Sequence, residues 1–174
     1  MTMRNRYDYL DGGPGSNDTL RIIANAVLGG FSIDLVPPDQ VLTFNGTSNP
    51  TIQKNFENID LSNITGSFGA DIKGNQKNNL LIGTKNADTI NGEQGIDTTT
   101  YPSNYASYSF KSESNALKVS DNKNITDTLR NIEFIQFKDQ KKSVSDILSS
   151  IQSKPEYTLT ASPRSINEGS NFSF

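Results

Sequence analysis

The chain has 174 residues and a formal net charge of −3, with its lysines and arginines scattered, so we predict no nucleic-acid partner. Only 33% of the residues are hydrophobic, which argues against a single thick apolar core, and the abundant Asn, Ser, Thr, Asp and Gly favour turns. The absence of Cys and His excludes disulfides, thiolate or imidazole metal sites and histidine-based catalysis in this chain.

The N-terminal segment, residues 1–20, ends in a glycine- and aspartate-rich motif. Residues 12–20 read GGPGSNDTL, in which Gly15 and Asp18 precede the apolar Leu20. Glycine allows the tight backbone turn that such a motif needs, and the apolar residue indicates a following strand. We predict that this segment is a truncated copy of a repeat that recurs later in the chain.

Residues 21–65 have the weakest pattern. Short runs of apolar residues predict strands, which Pro37 and Pro38 interrupt. The predicted strands are Leu20 to Ala24, Phe31 to Leu35, Val41 to Asn45 and Asn58 to Ile64. We predict an irregular β segment that forms a wider part of the same architecture.

Residues 66–100 contain a repeat of nine residues, written GNQKNNLLI, GTKNADTIN and GEQGIDTTT. Three columns of residues keep this register, and they consist of Gly74, Gly83 and Gly92, of Asn79, Asp88 and Asp97, and of Leu81, Ile90 and Thr99. Self-similarity at a short fixed period is typical of solenoids, in which neighbouring repeats stack to bury a shared core.

Residues 101–152 are predicted to close the solenoid. The aromatic residues at the start of this segment and the apolar run 132–137 are expected to pack over the open end and protect its edge. Ser143 to Asp146 forms a capping box that predicts a short helix, Val144 to Ile151. Residues 153–174 are a linker and an incomplete further module with strand-like alternation.

The repeats are similar to the pattern G-G-x-G-x-D-x-U-x and resemble those of the RTX, or hemolysin-type calcium-binding, family. Residues 124–139, NITDTLRNIEFIQFKD, are similar to the segment that commonly closes such repeats, and residues 156–174 resemble the opening of a Calx-β or Ig-like module. The resemblance covers residues 7–20 and 55–148. It implies an all-β fold, namely a parallel β-roll or β-solenoid with a capping β segment and one short C-terminal helix.

In a β-roll of this family, the first six residues of each repeat form a turn and the last three form a strand. Residues eighteen apart then stack at about 4.8 Å, and stacked carboxylates repel each other unless a cation lies between them. Hard oxygen ligands in a flexible cage favour Ca²⁺. The expected cofactor is Ca²⁺, and the expected ligands are Asn79, Asp88, Asp97, Gly95, Asn86, Asp71, Asp18 and Gly15.

The predicted sites differ in quality. Asp97 stacks over Asn79, which gives one charged and one neutral ligand, and we expect this to be the better site. Asp88 stacks over Ala70 with Asp71 one residue away, so this site needs a shift in register or backbone ligands. An ion-free solenoid, in which the Asx side chains hydrogen-bond their own turns, is the open alternative.

The resemblance implies a calcium-binding module of a larger secreted bacterial protein, exported by type I secretion, that folds and becomes rigid in extracellular calcium. We predict no catalytic residues, and therefore no enzymatic activity in this segment. The expected partners are calcium ions and neighbouring domains of the same polypeptide, and no membrane span is expected. Two alternatives stay open, a non-catalytic C-terminal region of a secreted hydrolase and an adhesin spacer or interaction segment.

Overall fold

The computed structural model describes residues 9–27 and 29–152, so the incomplete module predicted in residues 153–174 lies outside the described residues. The strands are β1 (Tyr9–Asp11), β2 (Thr19–Val27), β3 (Phe31–Asp34), β4 (Val41–Phe44), β5 (Thr47–Ser48), β6 (Ile52–Lys54), β7 (Asn58–Gly66), β8 (Ala70–Lys73), β9 (Leu80–Ile82), β10 (Thr89–Asn91), β11 (Thr98–Thr100), β12 (Ser109–Glu113), β13 (Ala116–Ser120), β14 (Thr126–Arg130), β15 (Phe134–Gln136) and β16 (Lys141–Ser143). A 3-10 helix spans Tyr105–Ser107, and the helix α1 spans Val144–Gln152. No helix within the described ranges is both long and apolar enough to cross a membrane.

The strands form a parallel β-solenoid, as the repeat pattern predicts. One sheet has six strands in the order β16-β15-β11-β9-β7-β2, and the other has eight strands in the order β12-β13-β14-β10-β8-β3-β4-β5. Consecutive strands such as β7 and β8, or β9 and β10, alternate between the two sheets, and each pairs in parallel with the strand one coil away. One coil therefore contributes one strand to each sheet.

The nine-residue repeats fold as predicted. Each of the strands β9, β10 and β11 occupies the last three residues of its repeat. Thr98 pairs with Leu80 and Thr89 pairs with Asp71, which is the expected offset of two repeats. A three-residue strand directs its middle side chain inward, so the core is thin and consists here of the buried residues Leu81, Ile90 and Thr99.

Residues 21–65 belong to the same solenoid, and their four predicted strands are confirmed as β2, β3, β4 and β7. Phe31 on β3 pairs in parallel with Ala70 on β8, 39 residues later, instead of one regular coil later. The additional residues form β4 and β5, which extend the eight-stranded sheet, and β6, which pairs with β1. The prediction of a wider section of the solenoid is therefore correct.

The C-terminal end is closed by aromatic packing, by the antiparallel pairings β12–β13, β13–β14 and β15–β16, and by α1. The Phe137 ring is buried and lies between four other rings, with centroid distances of 5.2 to 6.0 Å. These rings belong to Tyr101, Tyr105, Tyr108 and Phe110. The backbone N–H of Asp146 donates to Oγ of Ser143 at 3.0 Å, which confirms the predicted helix cap.

Candidate functional site formed by two polar ladders

The coils are joined by two stacks of polar side chains at the positions where strands begin. Ladder 1 precedes the parallel strands of the six-stranded sheet and consists of Asp18, Glu57, Asn79, Asp97 and Glu133. Ladder 2 lies on the eight-stranded sheet and consists of Asp88 and Asp127, with Ala70 at the equivalent position one coil earlier. Four of these residues, Asp18, Asn79, Asp88 and Asp97, are predicted metal ligands.

At three of the four steps of ladder 1, a backbone N–H of one coil donates to a side-chain oxygen of a later coil. The N–H of Asn79 donates to Oδ1 of Asp97 at 2.7 Å, and the N–H of Asp97 donates to Oε2 of Glu133 at 2.6 Å. The N–H of Asp18 donates to Oε2 of Glu57 at 3.1 Å. Because an unpaired buried N–H is costly, these carboxylates hold neighbouring coils in register.

Ladder 2 follows the same rule and leaves no carboxylate oxygen without a donor. The N–H of Ala70 donates to Oδ1 of Asp88 at 2.7 Å, and the N–H of Asp88 donates to Oδ1 of Asp127 at 2.8 Å. The backbone N–H of Thr84 reaches Oδ2 of Asp88 at 2.7 Å, and the Tyr101 hydroxyl donates to Oδ2 of Asp127 at 2.8 Å. Ladder 2 is therefore satisfied by the protein alone.

The first glycine of a repeat is required because the ladder carboxylate packs against its Cα. A Cβ at Gly92 would overlap both Oδ2 of Asp97 and the carbonyl oxygen of Asn131, although the φ of Gly92 is not positive. Gly95 differs, because it has a φ of 118° and a Cβ there would lie 2.5 Å from the Lys77 carbonyl oxygen. Both glycines are therefore needed for the close approach of neighbouring coils.

The ladders bury negative charge. Burial, together with the nearby Asp127 carboxylate, raises the pKa of Asp88 to about 7. Burial also raises the pKa of Asp97 to about 6, with a smaller contribution from Glu133, and it raises the pKa of Asp127. The pKa of Tyr101 is raised well above its ordinary value, mainly by burial, so its hydroxyl stays protonated and donates to Asp127.

Among the described residues, no group donates a hydrogen bond to one carboxylate oxygen of Asp97. Its side chain is buried, and Oδ2 has no hydrogen-bond partner within the described residues. The corresponding oxygen of Asp88, its Oδ2, accepts the backbone N–H of Thr84, four residues earlier. The equivalent residue before Asp97 is Glu93, which has a φ of 70°, and its N–H donates to Asn91 instead.

Asn79 and Asp97 come together as predicted, but the amide of Asn79 is already engaged. Its Oδ1 accepts the N–H of Asn75 at 2.9 Å, and its Nδ2 donates to the Glu57 carbonyl oxygen at 2.7 Å. Asn86 is engaged in a similar way, because its Nδ2 donates to the Phe68 carbonyl oxygen at 2.9 Å. Both amides therefore join neighbouring coils through protein hydrogen bonds.

Three other predicted ligands are Asp71, Asp18 and Gly15. Asp71 is exposed on β8, next to the ladder position that Ala70 occupies. Asp18 stacks on Glu57, a partner that the sequence did not reveal, and Gly15 packs against the Asp18 carboxylate. The structure thus places Asp18 in ladder 1 and leaves Asp71 outside both ladders.

Three ladder residues, Glu57, Asp127 and Glu133, were missed by the sequence analysis. Each has the spacing of the repeat aspartates, because an acidic residue stands two positions before a buried apolar residue. The apolar partners are Ile59, Leu129 and Ile135, respectively. The insertions between coils break the nine-residue period, so only this acid-x-apolar pattern could have identified the three residues.

Calcium fits the turn of Asp97 better than the turn of Asp88. Asp97 offers a hard carboxylate oxygen without a partner, whereas both oxygens of Asp88 accept protein hydrogen bonds. Across residues 9–27 and 29–152, no three acidic side chains come close enough to hold a metal ion. A calcium ion beside Asp97 would therefore take most of its ligands from backbone carbonyl groups and water.

No protein-family model matches this chain, and a search of the curated proteins finds no match. The fold and the ladders define a class of protein, namely a parallel β-solenoid whose coils are joined by buried carboxylates that accept backbone N–H groups. Membership of the RTX family stays a prediction from the repeat sequences.

Proposed function

We propose that the chain is a calcium-binding β-solenoid module of a larger secreted bacterial protein, made more rigid by Ca²⁺ in the turn before β11. The observation that carries this proposal is the buried Oδ2 of Asp97, which has no hydrogen-bond partner in residues 9–27 and 29–152. A buried charged oxygen without a donor or a cation costs free energy. A bound cation would remove that cost, so calcium binding and folding would be coupled.

The charges in ladder 1 support a cation at Asp97. The buried carboxylate of Glu57 already has a counter-charge, because Nζ of Lys77 lies 2.6 Å from Oε1. None of the ion pairs in the described part of the chain includes Asp97. A buried carboxylate without a cationic partner is unfavourable, and a divalent ion from solution would supply the missing charge.

Secretion, type I export and the bacterial source are proposed from the resemblance of the repeats to the RTX family. In that setting, the module stays loosely folded where calcium is scarce and becomes rigid outside the cell. It would then support neighbouring domains of the same polypeptide, as the non-catalytic region of a hydrolase or as an adhesin spacer. The proposed partners are calcium ions and those domains, and the module itself carries out no reaction.

A second function, an ion-free spacer, is favoured by ladder 2. Every carboxylate oxygen of Asp88 and Asp127 has a protein donor. These hydrogen bonds join coils without any ion. In this alternative, a proton or a water molecule binds Oδ2 of Asp97, and calcium does not change the stability of the solenoid.

A calcium titration followed by circular dichroism and thermal melting separates the two functions. Calcium should raise the melting temperature of the wild-type chain in a saturable way, and Mg²⁺ should have much less effect. The Asp97→Asn variant should lose this response, whereas Asp88→Asn should retain it because the oxygens of Asp88 are already engaged. A wild-type melting temperature that is indifferent to calcium and to chelator would contradict calcium binding and leave the spacer function.

A further inference from the structure

A cleft beside the capping segment is lined by polar and aromatic side chains. Three loops meet there, namely residues 84–86 of a repeat turn, residues 101–108 and the β13–β14 connection. The cleft has a volume of about 350 Å³ and lies on the exposed side of ladder 2 residue Asp127, which forms part of its lining. This size is within the range of small-molecule sites.

We propose that this cleft binds an acidic sugar residue. Two tyrosine rings, those of Tyr101 and Tyr108, line it with their centroids 5.0 Å apart and their planes tilted by 60°. Tyrosine combines an apolar ring face with a polar edge, and a sugar ring likewise has apolar C–H faces and polar hydroxyl groups. The aromatic lining therefore matches a sugar better than it matches a small inorganic anion.

The tyrosine rings are held in place before any ligand binds. The hydroxyl group of Tyr101 donates to Asp127 at 2.8 Å, and the hydroxyl oxygen of Tyr108 accepts the N–H of Ser103 at 3.3 Å. Both rings also pack on the buried Phe137. A pre-formed aromatic surface loses little conformational entropy when a ligand binds.

The charge of the ligand is inferred from the lysines. In the described part of the chain, most lysine side chains have an ion pair, a hydrogen bond or an aromatic ring as a partner. Lys85, Lys123 and Lys138 have none, and the first two line this cleft. Their exposed ammonium groups can bind a carboxylate or sulfate group of a sugar.

Asp121 and Asp127 also line the cleft, and within the described residues neither forms an ion pair with these lysines. Oδ1 of Asp121 accepts the backbone N–H groups of Lys123 and Ile125, at 2.8 and 2.9 Å, so its carboxylate maintains the turn. Ser103, Ser107 and Asn122 are exposed on the lining and can hydrogen-bond sugar hydroxyl groups. The cleft thus combines aromatic, cationic and hydroxyl-binding groups.

Chemical-shift titration of the full isotope-labelled chain with methyl glucuronide, in calcium-free buffer with chelator, tests the proposal. Saturable shifts should centre on Lys85, Tyr101 and Lys123, with a dissociation constant of about 1 mM, a range that a single sugar ring can reach. The double variant Lys85→Met/Lys123→Met should bind at least about tenfold more weakly, because two charge-assisted hydrogen bonds are lost. Lys138→Met is the matched control and should bind as the wild type does.

Methyl glucoside and sodium sulfate are the comparison ligands, and both should bind at least about tenfold more weakly than the glucuronide. Equal binding of sulfate would overturn the sugar assignment and leave an anion site. Equal binding of the neutral glucoside, or unchanged binding by the double lysine variant, would overturn the role of the lysines. Absence of saturable shifts in the cleft would overturn the proposal as a whole. A well-dispersed spectrum before any ligand is added is required, because it shows that the calcium-free chain is folded. Repeating the titration at saturating calcium then separates failure of the cleft site from loss of the fold.

Discussion

The stability of the calcium-free chain is expected to decrease as the pH rises from about 4 to 8. Burial raises the pKa values of Asp88 and Asp97 from an ordinary value of 3.8 to about 7 and about 6, respectively. Between the unfolded and folded pKa values, the folded chain holds more protons than the unfolded chain. The free energy of unfolding therefore falls with pH over this window, and the stabilisation is fully present only below the unfolded pKa.

The magnitude follows from about 1.4 kcal/mol for each pKa unit. A shift of about two units at Asp97 corresponds to roughly 3 kcal/mol, and about three units at Asp88 correspond to roughly 4 kcal/mol. These pKa values already include the N–H groups that donate to both carboxylates and lower their pKa, so burial is the larger effect at each. Even half of this sum is large beside the ~5–15 kcal/mol stability of a typical domain.

Urea unfolding at several pH values between about 4.5 and 8, in calcium-free buffer, measures this dependence. The variants Asp88→Asn and Asp97→Asn should each flatten part of the profile, and the exposed Asp71→Asn should leave it unchanged. Calcium added at pH 8 should restore stability to the wild type and much less to Asp97→Asn. A wild-type stability that is constant or rises across this window would refute the argument and show that the N–H donors outweigh burial.

Three further changes test the ladders and the cap, each by urea unfolding. Tyr101→Phe removes the hydroxyl donor to Asp127 and should destabilise the fold by about 1–2 kcal/mol; no loss of stability would show that water replaces the hydroxyl. Gly92→Ala introduces a Cβ that overlaps Oδ2 of Asp97, so we expect a loss of more than about 2 kcal/mol. Phe137→Ala empties the centre of the aromatic cap and should cost about 3–5 kcal/mol, and a smaller loss would mean that the surrounding rings collapse into the cavity.

The regular coils could be predicted from the sequence because one local rule determines them. In residues 74–100, a glycine at every ninth residue begins a turn, and the last three residues of each repeat form a strand. The eighteen-residue register follows from this repetition, and so does the stacking of Asp97 over Asn79. Nothing outside the repeat needs to be known to place these residues.

The irregular coils could not be predicted, because their register depends on pairing between distant strands. Phe31 pairs with Ala70 and Thr89 pairs with Thr128, each across 39 residues that include additional strands. The length of an insertion does not reveal where the chain rejoins the stack. For this reason Glu57 was not recognised as the ladder partner of Asp18.

The chemistry of the turns was also only partly visible in the sequence. Carboxylates at the repeat positions predict repulsion between stacked coils. The backbone N–H groups that donate to the carboxylate of Asp88, and so stabilise it without a cation, are a property of the folded stack. The unpartnered oxygen of Asp97 depends on the positive φ of Glu93, a conformation that is uncommon for a residue with a side chain. The sequence therefore predicts which residues occupy the turns, and the structure distinguishes their environments.

The head-to-tail hydrogen bonding of the ladders has a consequence for how such a chain can change in length. A carboxylate in one coil accepts an N–H of the preceding coil, and the N–H beside that carboxylate is available to the coil that follows, as at Asp97. A duplicated pair of repeats inserted between Asn79 and Asp97 would repeat this contact without a new kind of interface. The step from Glu57 to Asn79 differs, because the N–H of Glu57 donates to the carbonyl oxygen of Asp18. The rod could thus grow by about 4.8 Å per duplication, while the closing segment remained the same.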